Sequence, residues 1–468
     1  MHIKIDRLKP VSFKEQLVLK LETMIRSGQI HAGNKLPSIR QLAAANRISR
    51  YPVTEAYDHL VSQGLIEPRH GAGFYVACHA NGHAHRMGSL EPTKAQEESW
   101  QVLRQFNAPG SAPPLSSGFV PEAWRDVDGI AQTIRKISRT DVASLIDYAT
   151  PLGDNILRTQ IARRLANFEV AASSDHILVT HSASQALDLV TRLMLQPGDL
   201  VFVEDPGYFN LFGLLKLLGI SLVGIPRRRN GPDVDVMQKM LRIHRPKLFF
   251  LNTVFHNPTA TNVSPDVAFR ILGLAHQHDF LIVEDDVFAD LQSTPTQRLA
   301  TLDQLERVIY IGGFSKTLSS SFRLGYVAAN TKLISKLVDV KMLTSMGGTK
   351  FAESVVASLL KQGTYNRHME TLRQRMGTAL CRAVGQLRGS GWDIYEEPRG
   401  GMFVWTRIPH IQDSQRIVEH ATKFDVHLVP GANHRPNNEV CPWLRFNVGY
   451  MGAGRTQAFL ESAAALPS

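Results

Sequence analysis

At 468 residues, 43% hydrophobic and 20% charged, the chain is long enough for two or three folded domains, and its ordinary composition excludes a disordered or fibrous protein. Three scattered cysteines, Cys78, Cys381 and Cys441, exclude a disulfide framework and point to a reducing compartment, and no apolar run is long enough to span a bilayer. The formal net charge of +10 points to an anionic partner, and residues 1–79 carry half of it, with 11 Lys and Arg against 6 Asp and Glu.

The spacing of Leu17, Leu21, Met24 and Ile25 predicts an amphipathic helix over 13–27, with Gly28 as its stop. Leu36-Pro37-Ser38 opens a second helix, with Ser38 as N-cap and Ile39, Leu42 and Ala43 on its inner face. After a turn at Asn46-Arg47-Ile48, Ser49 caps a third helix whose first turn tolerates Pro52 and which ends at Gly64. Residues 65–68 and 74–76 then read as two short strands joined by the glycine turn around His70. Three helices and a β-wing make a winged helix-turn-helix, whose second turn helix enters the major groove of double-stranded DNA. The Pro-Ser turn, third helix and glycine-rich wing closely resemble the GntR family of bacterial regulators. That resemblance implies contacts to an operator from Arg40, Arg50, Tyr51, Thr54 and His70, with Tyr51 standing where a small hydroxyl residue is commoner. Arg40 and Arg50 suit phosphate or guanine, and His70 sits at the wing tip near the minor groove.

From 80 to 114 the composition is that of a tether, with a short helix expected at 96–106. His79, His83 and His85 lie at its start without a Cys or acidic ligand nearby, and no metal site is read from them or elsewhere.

Beyond the tether, strands alternate with helices. Strands are predicted at 176–180, 200–203, 221–225, 248–251, 281–283 and 308–311, and helices at 185–195 and 208–218. This alternation predicts an α/β unit with a mostly parallel sheet covered by helices, and puts its chemistry at the strand ends. Gly312-Gly313-Phe314-Ser315-Lys316-Thr317 follows the last of these strands. An amine there can form a Schiff base with an aldehyde, and Ser315 and Arg323 flank it as phosphate holders. An aldehyde carrying a phosphate means pyridoxal 5'-phosphate, PLP. The free N–H groups and dipole of the helix opening at Ser182-Ala183-Ser184-Gln185 suit the same phosphate. Tyr208, Asn257 and Asp285 stand at three further strand ends. The run Arg227-Arg228-Arg229 reads as a solvated loop.

The order of these residues over about 350 positions resembles the fold type I aminotransferases, and with the GntR-type head the chain resembles the MocR subfamily. The resemblance implies Lys316 as the Schiff-base lysine, Asp285 as partner of the pyridinium nitrogen, Asn257 on the ring oxygen and Tyr208 stacked on the ring. It implies Ala183, Ser184, Ser315 and Arg323 on the phosphate, Tyr148 reaching the phosphate of a partner subunit, and Arg445 clamping the carboxylate of a substrate or effector. Gly400-Gly401 matches a glycine pair of the small domain. Six residues at four sites depart from the family pattern. Val287 and Phe288 stand where a tyrosine is usual, Ala260 closes the Asn-Pro-Thr-Gly motif, Ser320-Ser321 replaces Pro-Gly, and Ser182 replaces a glycine.

The division expected is a DNA-binding head at 1–79, a linker at 80–114 and a PLP-binding domain at 115–468. The large part of that domain spans about 150–335, and the small part spans 336–468 with 115–149. The function expected is a cytoplasmic, homodimeric regulator, nucleoid-associated when bound to DNA. It would sense PLP, or PLP with an amino compound, without efficient turnover and with at most a residual half-reaction. The alternatives are a working aminotransferase that carries a DNA-binding head, and a DNA-binding protein whose second domain only dimerises.

Overall fold

The computed structural model describes residues 11–26, 29–69, 72–77, 114–294, 296–452 and 454–467. Gly28, His70, the histidines of the tether and the helix expected at 96–106 lie outside them. The chain divides into two compact units between Thr93 and Lys94.

In the first unit, helices α1 (Phe13–Arg26), α2 (Ile39–Asn46) and α3 (Arg50–Ser62) precede an antiparallel pair, β1 (Ile66–Arg69) and β2 (Gly73–Val76). Leu17, Leu21, Leu42, Val53, Tyr57 and Leu60 bury completely in one core, the apolar face that the helical spacing requires. Ser38 forms a reciprocal cap: Gln41 N–H donates to Ser38 Oγ (3.3 Å), and Ser38 N–H donates to Gln41 Oε1 (2.9 Å). Ser49 holds the N-cap position of α3 with an extended backbone, but its hydroxyl makes no capping bond. Tyr57 Oη donates to Pro37 O (2.7 Å), which ties α3 to the entry of α2.

The second unit is built on an eight-stranded sheet ordered β3-β10-β9-β8-β7-β4-β5-β6. Its strands are β3 (Ile177–Thr180), β4 (Leu200–Asp205), β5 (Ser221–Arg228), β6 (Gly231–Pro232), β7 (Leu248–Leu251), β8 (Leu281–Asp285), β9 (Val308–Gly313) and β10 (Gly325–Ala328). Strands β5, β4, β7, β8 and β9 run parallel, as the alternation predicts, while β10 lies antiparallel to both β3 and β9. The sequence reading has no strand at β10. Its four residues follow the arginine loop directly and carry no periodicity that a loop would lack. β3, β7 and β9 are buried along nearly their whole lengths, and a separate hydrophobic cluster covers each face of the sheet. A smaller antiparallel sheet, β11 (Asp393–Ile394), β12 (Phe403–Arg407) and β13 (Leu444–Asn447), follows the 26-residue helix Thr364–Gly389.

One expectation fails outright. Arg227 is not in a solvated loop: β5 continues to Arg228, and Arg227 is 3% exposed. Its guanidinium pairs with Glu204 and donates to Asn252 O (3.0 Å) and Thr261 O (3.1 Å). Burial pushes the Glu204 carboxyl up, but Arg227 and His256 overcome this and hold it below its ordinary value. A buried ion with this many partners is a structural strut beneath the sheet's carboxyl end. Arg228 and Arg229 remain on the surface, as expected of them.

Candidate functional site

A cavity of about 280 Å³ opens at the carboxyl ends of the parallel strands. Ala183, Ser184, Tyr208, Asn257, Asp285, Ser315, Lys316, Arg323 and Arg445 all line it. Nine residues drawn from a span of more than 250 positions thus converge. Tyr148 is not among the lining residues and stands 80% exposed.

Each arrives for a local reason. The helix Ala183–Met194 begins two residues before the predicted start, because Ser182 Oγ accepts from Gln185 N–H (3.1 Å) and caps it. Its first amides and positive dipole end therefore face the cavity beside Ser184. Gly325 lets β10 pass beneath that helix start, since a Cβ there would meet Ala183 N at 2.5 Å. Arg323 adopts a left-handed backbone (φ 52°), an uncommon conformation for a residue with a side chain, and one that functional loops retain.

Lys316 follows β9. Its Nζ lies 4.2 Å from the centre of the Phe119 ring, and a Cβ at residue 118 would come within 3.1 Å of it, which Gly118 avoids. Burial, then the nearby cations Arg445 and Arg323, push the amine down to about 8, with Asp285 opposing them. A larger share of neutral, nucleophilic amine results at neutral pH.

Asp285 ends β8. Burial and the neighbouring Asp286 push its carboxyl up to about 7, while Val287 N–H and Lys316 act against the shift. Its Oδ1 is buried without a hydrogen-bond partner. A cationic ring nitrogen at that oxygen would satisfy it and favour the carboxylate.

Arg445, on β13, is 3% exposed. Nη1 donates to Asn257 Oδ1 (2.6 Å), Nη2 donates to Ser116 O, and Nε has no partner. Its guanidinium lies 4.3 Å from the centre of the Phe403 ring. Burial pushes it down to about 10, which marks a buried cation short of a counter-anion. Ser315 Oγ is likewise buried without a partner. An amine, an unpartnered carboxylate oxygen, a helix start with hydroxyls and two arginines fit PLP group by group.

Phe288 also lines the cavity, 3% exposed and edge-on to Phe403 with centroids 5.5 Å apart. Gly118, Phe119, Asn252 and Phe403 are among the lining residues that the sequence did not single out. Gly118-Phe119 stands alone after the tether, with no strand to signal it. Asn252 directly follows β7 and was legible by the same strand-end rule that found Asn257. In the head, Arg40, Arg50 and Tyr51 are exposed and Thr54 is partly exposed, with Thr54 Oγ1 donating to Arg50 O (3.2 Å).

Comparison with known proteins agrees with this geometry. Residues 13–76 match the bacterial regulatory proteins of the gntR family. An uncharacterised HTH-type transcriptional regulator of Bacillus subtilis, YisV, is 27% identical over 98% of this chain and 96% of its own. Aromatic-amino-acid aminotransferase 1 of Thermococcus litoralis is 28% identical over 72% of this chain and 83% of its own. The kynurenine aminotransferase of Pyrococcus horikoshii superposes with a TM-score of 0.74 at 25% identity, covering 82% of this chain and 97% of that one. Residues 114–462 match aminotransferase class I and II. The chain therefore belongs to the aminotransferase class I and II family, whose cofactor is PLP, and carries a gntR-family head in the arrangement of the MocR subfamily.

Proposed function

We propose that the chain is a transcription regulator whose aminotransferase-like unit senses PLP, or PLP with an amino compound, and thereby controls operator binding by the head. The observation that carries this reading is the pairing of an exposed Arg40 and Arg50 face with a cavity that keeps Lys316, Asp285 and Arg445. The relatives that match along nearly the whole chain bear the names of regulators.

When bound, PLP supplies a carbonyl carbon for amines and an electron-withdrawing ring. Lys316 offers a partly neutral amine to that carbon. Asp285 holds the proton on the ring nitrogen. Ser184, Ser315, Arg323 and the amides at Ala183 hold the phosphate. Asn257 would hold the ring oxygen, and Tyr208 would lie against the ring. Arg445 takes one carboxylate of the effector, the anion its buried charge lacks. Phe119, Phe403 and Phe288 shield the site from water and strengthen these interactions. Tyr148 serves a partner subunit in a homodimer, which also suits paired operator half-sites. The divisions 1–79, 80–114 and 115–468 are the functional ones, and the protein works in the cytoplasm, on the nucleoid when DNA-bound.

A second reading, a working aminotransferase with a DNA-binding head, draws on the same retained Lys316, Asp285 and Arg445. Against it stands Phe288, which brings no hydroxyl to the cavity wall. The test is a spectral titration of the PLP-loaded protein with a panel of amines, run in parallel with operator binding. The sensing reading expects at least one amine to change both signals at the same concentration. Multiple turnovers with a keto acid, and operator affinity indifferent to PLP and amines, would replace it with the second.

A further inference from the structure

Next to Lys316 along the chain, and outside the cavity lining, Thr317 joins a buried polar chain that the proposed chemistry does not use. Thr317 is fully buried, and its Oγ1 lies 2.7 Å from Tyr365 Oη. Tyr365, 1% exposed, donates to Asp290 Oδ2 (2.5 Å). Asp290 pairs with Arg164, whose guanidinium lies 4.7 Å from the centre of the Tyr365 ring, and Asp290 O accepts from Arg373 Nε (2.8 Å). His368 Nε2 lies 2.8 Å from Thr317 O.

The direction of each bond follows from the groups. An ionised carboxylate only accepts, so Tyr365 must give its proton to Asp290. Tyr365 oxygen is then an acceptor, and Thr317 must donate to it. A carbonyl only accepts, so His368 carries its proton on Nε2. The residue after Lys316 is thus gripped at its side chain and at its carbonyl, both from one face of one helix. Tyr365 and His368 are three residues apart at the start of the helix Thr364–Gly389. The same helix packs against β11 of the small sheet.

We propose that Arg164, Asp290, Tyr365 and His368 are positioning residues that fix the backbone at Thr317, set the reach of the Lys316 amine, and link that amine to the helix bearing the small sheet. None of these residues lines the cavity. Arg164 Nε is buried without a partner, but the bonds among Thr317, Tyr365, Asp290 and His368 each have a fixed direction, and another geometry would leave further buried groups unpaired. The inference rests on Lys316 being the lysine that meets PLP.

The test compares Tyr365→Phe, Thr317→Val and Thr317→Ser in the full-length, PLP-loaded protein. The readouts are PLP dissociation rate, the pH midpoint of the visible absorbance and the melting temperature. Tyr365→Phe and Thr317→Val are expected to release PLP on the order of tenfold faster, the loss of one buried hydrogen bond, and to move the midpoint by roughly half a unit or more. Thr317→Ser keeps the hydroxyl and is expected to behave as the wild type. Thr317→Val is nearly isosteric and removes only the hydroxyl's bonding, so it decides the matter where Tyr365→Phe fails to fold. Wild-type release and midpoint in both variants, with only a lower melting temperature, would reduce the network to packing and overturn the inference. Lys316→Ala separates the two levels. A visible band that survives it sinks the assignment of Lys316, whereas a bleached Lys316→Ala beside an unchanged Thr317→Val sinks the positioning role alone.

Discussion

Replacing Arg445 with Gln removes one of the forces that hold Lys316 partly neutral. Burial is the first cause of the depressed lysine, and Arg445 is the second. Without that cation the amine rises from about 8 towards its ordinary 10.5. Each unit of rise is about 1.4 kcal/mol and leaves about tenfold less neutral amine near pH 7. The same change leaves Asn257 Oδ1 and Ser116 O without their donors, at about 1–3 kcal/mol for each buried acceptor. The assay is PLP uptake by the stripped protein, followed by absorbance against pH. The wild-type rate is expected to climb to a plateau through about pH 8, and the variant's climb to lie about one unit higher. The sign for stability is consistent. The folded lysine is depressed, so the unfolded chain binds more protons between about 8 and 10.5, and this group's contribution to the stability of the stripped protein rises with pH across that window. In the variant the window narrows. An effector carboxylate is expected to bind the variant about 10-fold to 100-fold more weakly, the worth of a hydrogen bond to a charged group. Superimposable pH profiles for wild type and Arg445→Gln would refute the electrostatic argument.

Lys316→Ala is expected to abolish the visible absorbance while leaving the far-ultraviolet circular dichroism unchanged, and a retained band would show the lysine misassigned. Arg50→Ala is expected to weaken operator binding with no change in PLP content. A base contact is worth about 1–3 kcal/mol of discrimination, whereas a phosphate contact lowers all affinities alike and reduces the salt slope by about 1. Phe288→Tyr puts a donor on the cavity wall and is expected to lower the pH midpoint of the visible absorbance by about one to two units, checked by titration against wild type. Sedimentation is expected to give a dimer, and Tyr148→Phe to weaken PLP retention. A monomer with full PLP occupancy would exclude the shared site.

What was legible in the sequence was whatever a local pattern could carry. Leu248–Leu251 is a continuous apolar run and became a strand with the predicted ends, and Ser38 with Gln41 became the cap their spacing describes. Tyr208, Asn257, Asp285 and Lys316 were found because each follows such a run, whereas Arg445, inside β13, was named only by the family resemblance. Arg227 escaped because nothing local separates a buried arginine from a solvated one. Its counter-charge, Glu204, sits 23 residues away and on another strand. The network around Asp290 escaped for the same reason, since Arg164, Thr317 and Tyr365 share no sequence neighbourhood. β10 escaped because a four-residue antiparallel strand takes its register from its two neighbours rather than from its own pattern.

The departures from the family pattern separate once their surroundings are known. Ser182 in place of glycine gains a capping bond from Gln185 N–H, worth roughly a few tenths of a kcal/mol over glycine to the helix that faces the phosphate side. Ala260 holds a left-handed backbone (φ 59°) where glycine would hold it freely, at a cost of about 1–2 kcal/mol that falls on the folded state rather than on any chemistry. Ser320 and Ser321 do not line the cavity. Val287 and Phe288 do, and neither brings to the wall the hydrogen-bond donor of the usual tyrosine. The first changes alter stability and the last alters the environment of a bound ring. Under the proposed sensing function, a cavity that keeps Lys316, Asp285, Arg323 and Arg445 but lacks one phenol hydroxyl is expected to hold PLP and turn an amine over slowly, so that the bound state lasts long enough to be read at the operator.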